Sequence, residues 1–343
     1  MRLVNVILGA AVITSAVAVP TTGTSNSNDV AVEKRKSKFL FTGVNQSGAE
    51  FGQGQLPGTL GKDYTWPVHS TIDALTAKGF NIFRVPILMY GANYAKRFDR
   101  QNRRGISKGL NDIVNYITSK GAHAIIDSQN FGRYHGNVIT DTKGFQTYWK
   151  TIAARFKGNS RVIFDTNNEY HDMDNTLVAQ LNQAAINGIR AAGATSQYIF
   201  VEGNSYTGAW TWVSSGTGAA LASLKDPSNK IVYEMHQYLD SDGSGTHAEC
   251  VSPTIGAERI KAATQWLKQN GKKGILGETA GGANSQCIQA LTGMLQYMEK
   301  NSDVWDGWLW WGGGPWWDKY MFSMEPPSGI AYTSVLPSIS QFI

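Results

Sequence analysis

Val162-Ile163-Phe164-Asp165-Thr166-Asn167-Asn168-Glu169 is a short run, apolar up to its fourth position, that breaks at once into polar side chains. Downstream, Leu177, Leu181, Ala185 and Ile189 recur at the spacing of one helix face. Gly193 stands where that helix should stop, and Tyr198–Glu202 is a second short apolar run. A strand apolar on both faces, a one-striped helix and another such strand form a unit whose strands run parallel.

The same unit recurs in both directions. Strands are expected at Phe39–Val44, Asn81–Pro86, His123–Asp127, Val162–Asp165, Tyr198–Glu202, Ile231–Met235, Gly274–Gly277 and Gly307–Trp311. Helical stripes fall between them: Leu110, Ile113, Val114 and Ile117, then Ile260, Ala263 and Leu267, then Ile288, Leu291, Leu295 and Met298. Gly79, Gly121 and Gly271 stand at further helix ends, because glycine enters the left-handed cap without steric cost. The crossover around Trp210–Pro227 is the least helical. Eight parallel strands separated by helices predict an α/β fold, a single closed (β/α)8 TIM barrel over residues 36–343.

The rest of the composition narrows the classes of function. The chain has 343 residues, 42% hydrophobic and 17% charged, with a net charge of +5 and a mean hydropathy of −0.26. That is a globular composition. The basic residues are scattered, and the densest group, Lys96, Arg97, Arg100, Arg103 and Arg104, has only Phe98 among it, so no nucleic-acid partner is expected. Arg2, the apolar stretch Leu3–Val17 and Ala16-Val17-Ala18 read as a signal peptide over residues 1–18. Residues 19–35, ending in Lys34-Arg35, read as a propeptide or disordered leader. A secreted, extracellular protein follows, and no later run is long enough to imply a membrane partner. In an exported chain Cys250 and Cys287 are expected to form one disulfide. Asn45-Gln46-Ser47 is a glycosylation sequon, read as an interior structural Asn.

In such a barrel chemistry sits where strands end. The expected strands lead into Arg84, Gln129-Asn130, Asn168-Glu169, His236 with Tyr238, Glu278, and Trp310-Trp311. Two carboxylates would therefore face one cleft lined with Tyr and Trp. Glycoside hydrolysis needs that set: a proton donor, a nucleophile or base, and flat apolar surfaces for sugar rings. The histidines show no short metal-ligand spacing and no glycine-rich phosphate loop is present, so neither a metal nor an organic cofactor is expected.

Gly43-Val44-Asn45-Gln46-Ser47-Gly48-Ala49-Glu50-Phe51, Phe164–Met173, Tyr233–Asp240, Ile275-Leu276-Gly277-Glu278 and Trp310-Trp311 with Gly314-Pro315-Trp316-Trp317 resemble fungal endo-β-1,4-glucanases of glycoside hydrolase family 5, subfamily 5. The resemblance implies a retaining cellulase acting on β-1,4-glucan; a monomer is expected. It implies Glu169 as general acid/base and Glu278 as nucleophile, with Arg84 and Tyr238 beside Glu278. Asn168 would bind the sugar 2-hydroxyl, His236 line the acid/base side, and Trp311 form the floor.

The sequence departs from this family at three positions near the cleft: Tyr206 stands where Trp is frequent, Thr279 follows Glu278 where an aromatic is usual, and the third replaces a cleft histidine. A pattern that usually reads Asp-x-His-Asn-Tyr here reads Asp127-Ser128-Gln129-Asn130-Phe131, so Gln129 stands in place of histidine. Reduced turnover is expected, and a second reading is an impaired barrel that binds cell-wall polysaccharide. Trp210, Trp212, Trp316 and Trp317 are expected in loops, either stacking sugar or filling the loops' own cores. Trp149, Trp266 and Trp305 are read as packing.

Overall fold

The computed structural model describes residues 37–56, 58–89 and 106–343. The expected signal peptide and leader and the basic group around Arg100 lie outside these residues. Eight strands, β1 (Phe41–Gln46), β2 (Ile82–Ile87), β3 (His123–Ser128), β4 (Val162–Asp165), β5 (Ile199–Val201), β6 (Ile231–His236), β7 (Gly274–Thr279) and β8 (Trp305–Gly313), close into a barrel. Every neighbouring pair is parallel, and the β1–β8 pairing, Phe41 opposite Gly307, completes the ring. All eight lie where the apolar runs predict them.

Helices α1 (His69–Ala77), α2 (Ile106–Ser119), α3 (Thr142–Phe156), α4 (Asn175–Ala191), α5 (Thr217–Leu221), α6 (Ile255–Asn270) and α7 (Ser285–Lys300) follow strands β1–β7, with α3 following β3 through a small antiparallel hairpin, Arg133–Tyr134 with Asn137–Val138, and α2 following β2. The sequence did not suggest that hairpin. Asp141, Asp174 and Asn284 cap three of the helices, each side-chain oxygen accepting a backbone N–H of the first turn at 2.9–3.0 Å. Gly79, Gly121, Gly193 and Gly271 all have positive φ at helix ends, as expected. The fifth crossover carries only the five-residue α5. Cys250 and Cys287 are bonded, tying the segment after β6 to α7.

The interior of the barrel is layered. Phe41, Ile82, Ile125, Ile163, Phe200, Val232, Ile275 and Leu309, one from each strand, form a separate apolar cluster that can only lie inside the ring. Strand side chains alternate, so residues two further on point inward one step nearer the carboxyl ends. In β2 to β4 those residues are Arg84, Asp127 and Asp165, then Glu202 just past β5, and Glu234 in β6, all with 0% exposure. An apolar floor thus carries a buried charged layer, and the candidate site stands on that layer. Trp149, Trp266 and Trp305 are buried packing residues between strands and helices, as read.

Candidate active site

Glu278 ends β7 almost fully buried, and three side chains converge on it. Arg84 Nη1 donates to its Oε1 at 2.8 Å, the Tyr238 hydroxyl donates to Oε2 at 2.7 Å, and His236 Nδ1 lies 3.5 Å from Oε2. Glu169 follows β4 with φ +46°, in the left-handed region that side chains disfavour. Its Oε1 is 2.7 Å from His236 Nδ1, and its backbone N–H donates to Glu202 Oε2 at 2.6 Å. One oxygen of each glutamate and one nitrogen of His236 all lie within 4.8 Å of one another. Residues separated by more than a hundred positions are therefore neighbours.

Arg84 organises this ground. Beyond Glu278 it donates to Asp165 at 2.8 Å, Asn168 Oδ1 at 2.9 Å, Glu202 at 3.0 Å and Asn45 Oδ1 at 3.1 Å, with Asp127 and Glu234 at 3.3 and 3.4 Å. Asn45 is fully buried and donates to the Gly277 and Trp310 carbonyls, which is the interior structural role read for it.

One guanidinium among this many carboxylates leaves excess negative charge in a dry layer, so protons must make up the balance. Burial pushes Asp127 and Glu202 well above the carboxylate range, and burial with the nearby Glu234 takes Asp165 up to about 7. Burial also raises Glu278, opposite to what an ionised nucleophile suggests, while His236, Arg84 and the Tyr238 hydrogen bond act to lower it. Burial would neutralise His236, but Glu278, Glu202 and its bond to Glu169 hold the imidazolium well above its ordinary range.

The same physics sets a stability trend. Burial raises Glu50, beside Ser47 and Gly48, from 4.5 to about 7. Carboxyls raised on folding hold protons more tightly in the native state, so their contribution is complete below the ordinary carboxylate range and is lost as pH rises through about 7. The protein should therefore melt several degrees higher at pH 5 than at pH 8, and Glu50→Gln should narrow the difference. Thermal melts across that range check it; a melting temperature that climbs from pH 5 to pH 8 contradicts it.

Two hollows meet at His171, and one of them reaches Glu169. One, of about 590 Å³, is lined by Glu169, His171, Tyr206, Trp210, His236 and Tyr238 among others. The second, of about 470 Å³, includes Leu88, Met89, Gln129, Phe131, His135 and His171. His171 borders both and stacks on Tyr206 at 4.5 Å. Gln129 is thus at the site but apart from the carboxylates: it is buried, and its Oε1 has no hydrogen-bond partner. Trp311 is half-buried, edge-on to Trp317 at 5.7 Å. The loop tryptophans divide. Trp212 is buried against Tyr233 and Trp266, Trp317 is half-buried, and Trp210 and Trp316 are exposed, the latter stacked on Phe51.

Several groupings of these side chains could hold a cation by distance alone, including Glu169, His236 and Glu278. Arg84 and the imidazolium already supply positive charge there. Asp240, in the grouping with Asp242 and His247, accepts the backbone N–H groups of Gly245, Thr246 and His247. Among the described residues no helix is long and apolar enough to cross a membrane. The sequence reading missed Asp127, Asp165, Glu202 and Glu234 as parts of the site, although each follows an inward apolar residue by two positions.

A barrel with two glutamates meeting at its strand ends, one gripped by arginine and tyrosine, is the architecture of a glycoside hydrolase, and comparison with known proteins agrees. The family model described as cellulase (glycosyl hydrolase family 5) matches residues 44–314. Endo-beta-1,4-glucanase B of Emericella nidulans is 57% identical over 312 residues, 90% of this chain and 93% of that one. Endo-beta-1,4-glucanase B of Aspergillus niger is 52% identical over 343 residues, 100% of both. XacCel5A, solved in complex with cellopentaose, superposes with a TM-score of 0.83 at 35% identity, covering 89% of this chain and 100% of that one. Cel5A (EG2) from Hypocrea jecorina gives 0.76 at 30% identity, covering 88% and 98%. The chain belongs to glycosyl hydrolase family 5, the cellulase family.

Proposed function

We propose that the chain is a secreted, retaining endo-β-1,4-glucanase in which Glu278 is the nucleophile and Glu169 the acid/base. The observation that carries this reading is the approach of the two carboxylates to within 4.8 Å, with His236 between them. A retaining pair stands about 5–5.5 Å apart because the nucleophile attacks directly, whereas an inverting pair leaves room for a water.

In the first step a Glu278 oxygen bonds to the anomeric carbon while the glycosidic oxygen leaves, taking the Glu169 proton. In the second, Glu169 removes a proton from water, whose oxygen displaces Glu278 and restores the free enzyme. Tyr238 and Arg84 fix the aim of Glu278 and offset its charge. Nδ1 of His236 stands 2.7 Å from the Glu169 oxygen and, in the imidazolium, donates its proton to it. Arg84 holds Asn168 through Oδ1, and its Nδ2, buried with no partner, is the donor left for the sugar 2-hydroxyl. Trp311 would lie beneath the ring, and Trp210 and Trp316 offer exposed faces for flanking sugars.

The substrate class follows from the relatives named for β-1,4-glucan and from the cellopentaose held by a structural neighbour. Gln129 favours the second reading, a barrel that binds glucan and cuts it poorly or not at all. The two separate on one assay. Purified protein and Glu278→Gln are compared for new reducing ends on carboxymethylcellulose, mixed-linkage β-glucan, xyloglucan and mannan. Activity of the wild type alone, greatest on a β-1,4-glucan, supports the enzyme; binding without new reducing ends supports the other reading.

A further inference from the structure

Glu202 lies directly after β5, beneath the candidate carboxylate pair, and is fully buried. Its Oε2 accepts the backbone N–H of Glu169 at 2.6 Å. Its Oε1 accepts Arg84 Nη2 at 3.0 Å and stands 3.7 Å from His236 Nε2. Arg84 in turn holds Glu278, and His236 holds Glu169. The Glu202 backbone is itself pinned, because its carbonyl accepts Asn182 Nδ2 at 2.9 Å and Asn182 Oδ1 accepts the Thr166 hydroxyl at 2.6 Å. Thr166 lies three residues before Glu169, on the same strand exit.

We propose that Glu202 is a positioning residue that couples the two carboxylates, aiming Glu169 through its amide and Glu278 through Arg84. The inference rests on the reading of Glu169 and Glu278 as acid/base and nucleophile. The backbone at Glu169 explains why a coupler is needed. A left-handed φ of +46° is unfavourable for a residue with a side chain. The short bond from that amide to Glu202 holds the turn where the carboxyl must point. Both oxygens of the Glu202 carboxyl carry acceptor lone pairs, even with a proton on one, so one can accept from the Glu169 amide while the other accepts from Arg84. An amide at the same place cannot, since one of its two ends is a donor and would face another donor.

Glu202→Gln therefore breaks one arm while keeping shape and volume. The test compares wild type and Glu202→Gln on two β-cellobiosides, one with a 2,4-dinitrophenyl leaving group that departs without a proton and one with a phenyl group that needs the acid. With one arm lost, the first displacement suffers, so kcat/KM, which reports that step alone, should fall by about 10- to 10²-fold on the phenyl compound. The fall in kcat/KM on the dinitrophenyl compound, which needs no acid in that step, should be smaller. A folded variant with wild-type kcat/KM on both substrates overturns the proposal, even if its melting temperature drops. An equal fall in kcat/KM on both also overturns it, because the acid role of Glu169 would then not be affected. If the Gln variant does not fold, the same ratio is read in Glu202→Asp, which keeps the carboxyl but is one methylene too short to span both partners. Glu278→Gln is run alongside. Wild-type turnover in Glu278→Gln removes the underlying reading, whereas an inactive Glu278→Gln beside a fully active Glu202→Gln removes only this one.

Discussion

Glu278→Gln should lower kcat/KM on soluble β-1,4-glucan by roughly 10⁴–10⁶-fold, the scale of loss when a covalent nucleophile is deleted. The substitution keeps the volume of the side chain at a site with almost no exposure, so the fold should survive it. What disappears is the oxygen that forms the bond to the anomeric carbon, together with the negative charge facing Arg84 at 2.8 Å and His236 at 3.5 Å. The amide also turns a donor toward one of three groups that themselves donate, Arg84, Tyr238 or His236, so the geometry around Glu169 loosens as well. The hollow lined by Tyr206 and Trp210 is not lined by Glu278, so oligosaccharide affinity should persist within a few fold while turnover vanishes. Steady-state rates and calorimetric binding of one cello-oligosaccharide check this. A variant that keeps more than a tenth of wild-type turnover would remove Glu278 from the mechanism.

Gln129→His is expected to act in the other direction, raising kcat by about 10- to 10²-fold with a smaller change in KM. Loss of one hydrogen-bond donor made to a transition state costs about 10²–10³-fold, and the glutamine amide recovers part of that. The site has the marks of an unfilled role: Gln129 is buried beside the second hollow, and its Oε1 is unpaired. Its backbone is fixed by the bond from its N–H to the Ile87 carbonyl at 2.8 Å, so the new ring would start from a defined position. Both proteins are measured on the same oligosaccharide, with Glu278→Gln as background. If the wild type is already fast and Gln129→His slows it, the cleft is organised around glutamine and the impaired-site reading fails. If both are inactive while sugar still binds, the polysaccharide-binding barrel is the better account.

How much of this was written in the sequence varies by layer. The eight strands were legible because each is a compact apolar run bounded by a helix stripe and a glycine, and hydrophobic burial alone defines such runs. Glu169, Glu278, His236 and Tyr238 were legible because each falls at or just past a strand's carboxyl end, whereas Arg84, expected at a strand end, is the third of six residues in β2 and reaches the site by pointing into the barrel. Glu202 and Glu234 were not, because each was absorbed into an expected strand or motif, and only the inward parity of the barrel distinguishes them. A signal existed: Ile82 and Arg84, Ile125 and Asp127, Ile163 and Asp165, Phe200 and Glu202, and Val232 and Glu234 repeat one apolar-then-charged step two residues apart. The tryptophans show the opposite limit. Trp210 and Trp212 stand two residues apart in one loop, yet one is half exposed above Arg259 and the other fully buried against Tyr233 and Trp266. No pattern in the local sequence separates them, since the difference comes from the helix packed behind.

The direct test of the account is the configuration of the sugar first released. Wild-type protein is given a cello-oligosaccharide in deuterated buffer, and the anomeric protons are followed by NMR before mutarotation intervenes. With Glu169 and Glu278 as close as they stand here, two displacements at the same carbon must leave the β-anomer in excess at the earliest times. An initial excess of the α-anomer means a single displacement by water, and the assignment of Glu278 as nucleophile would then be wrong.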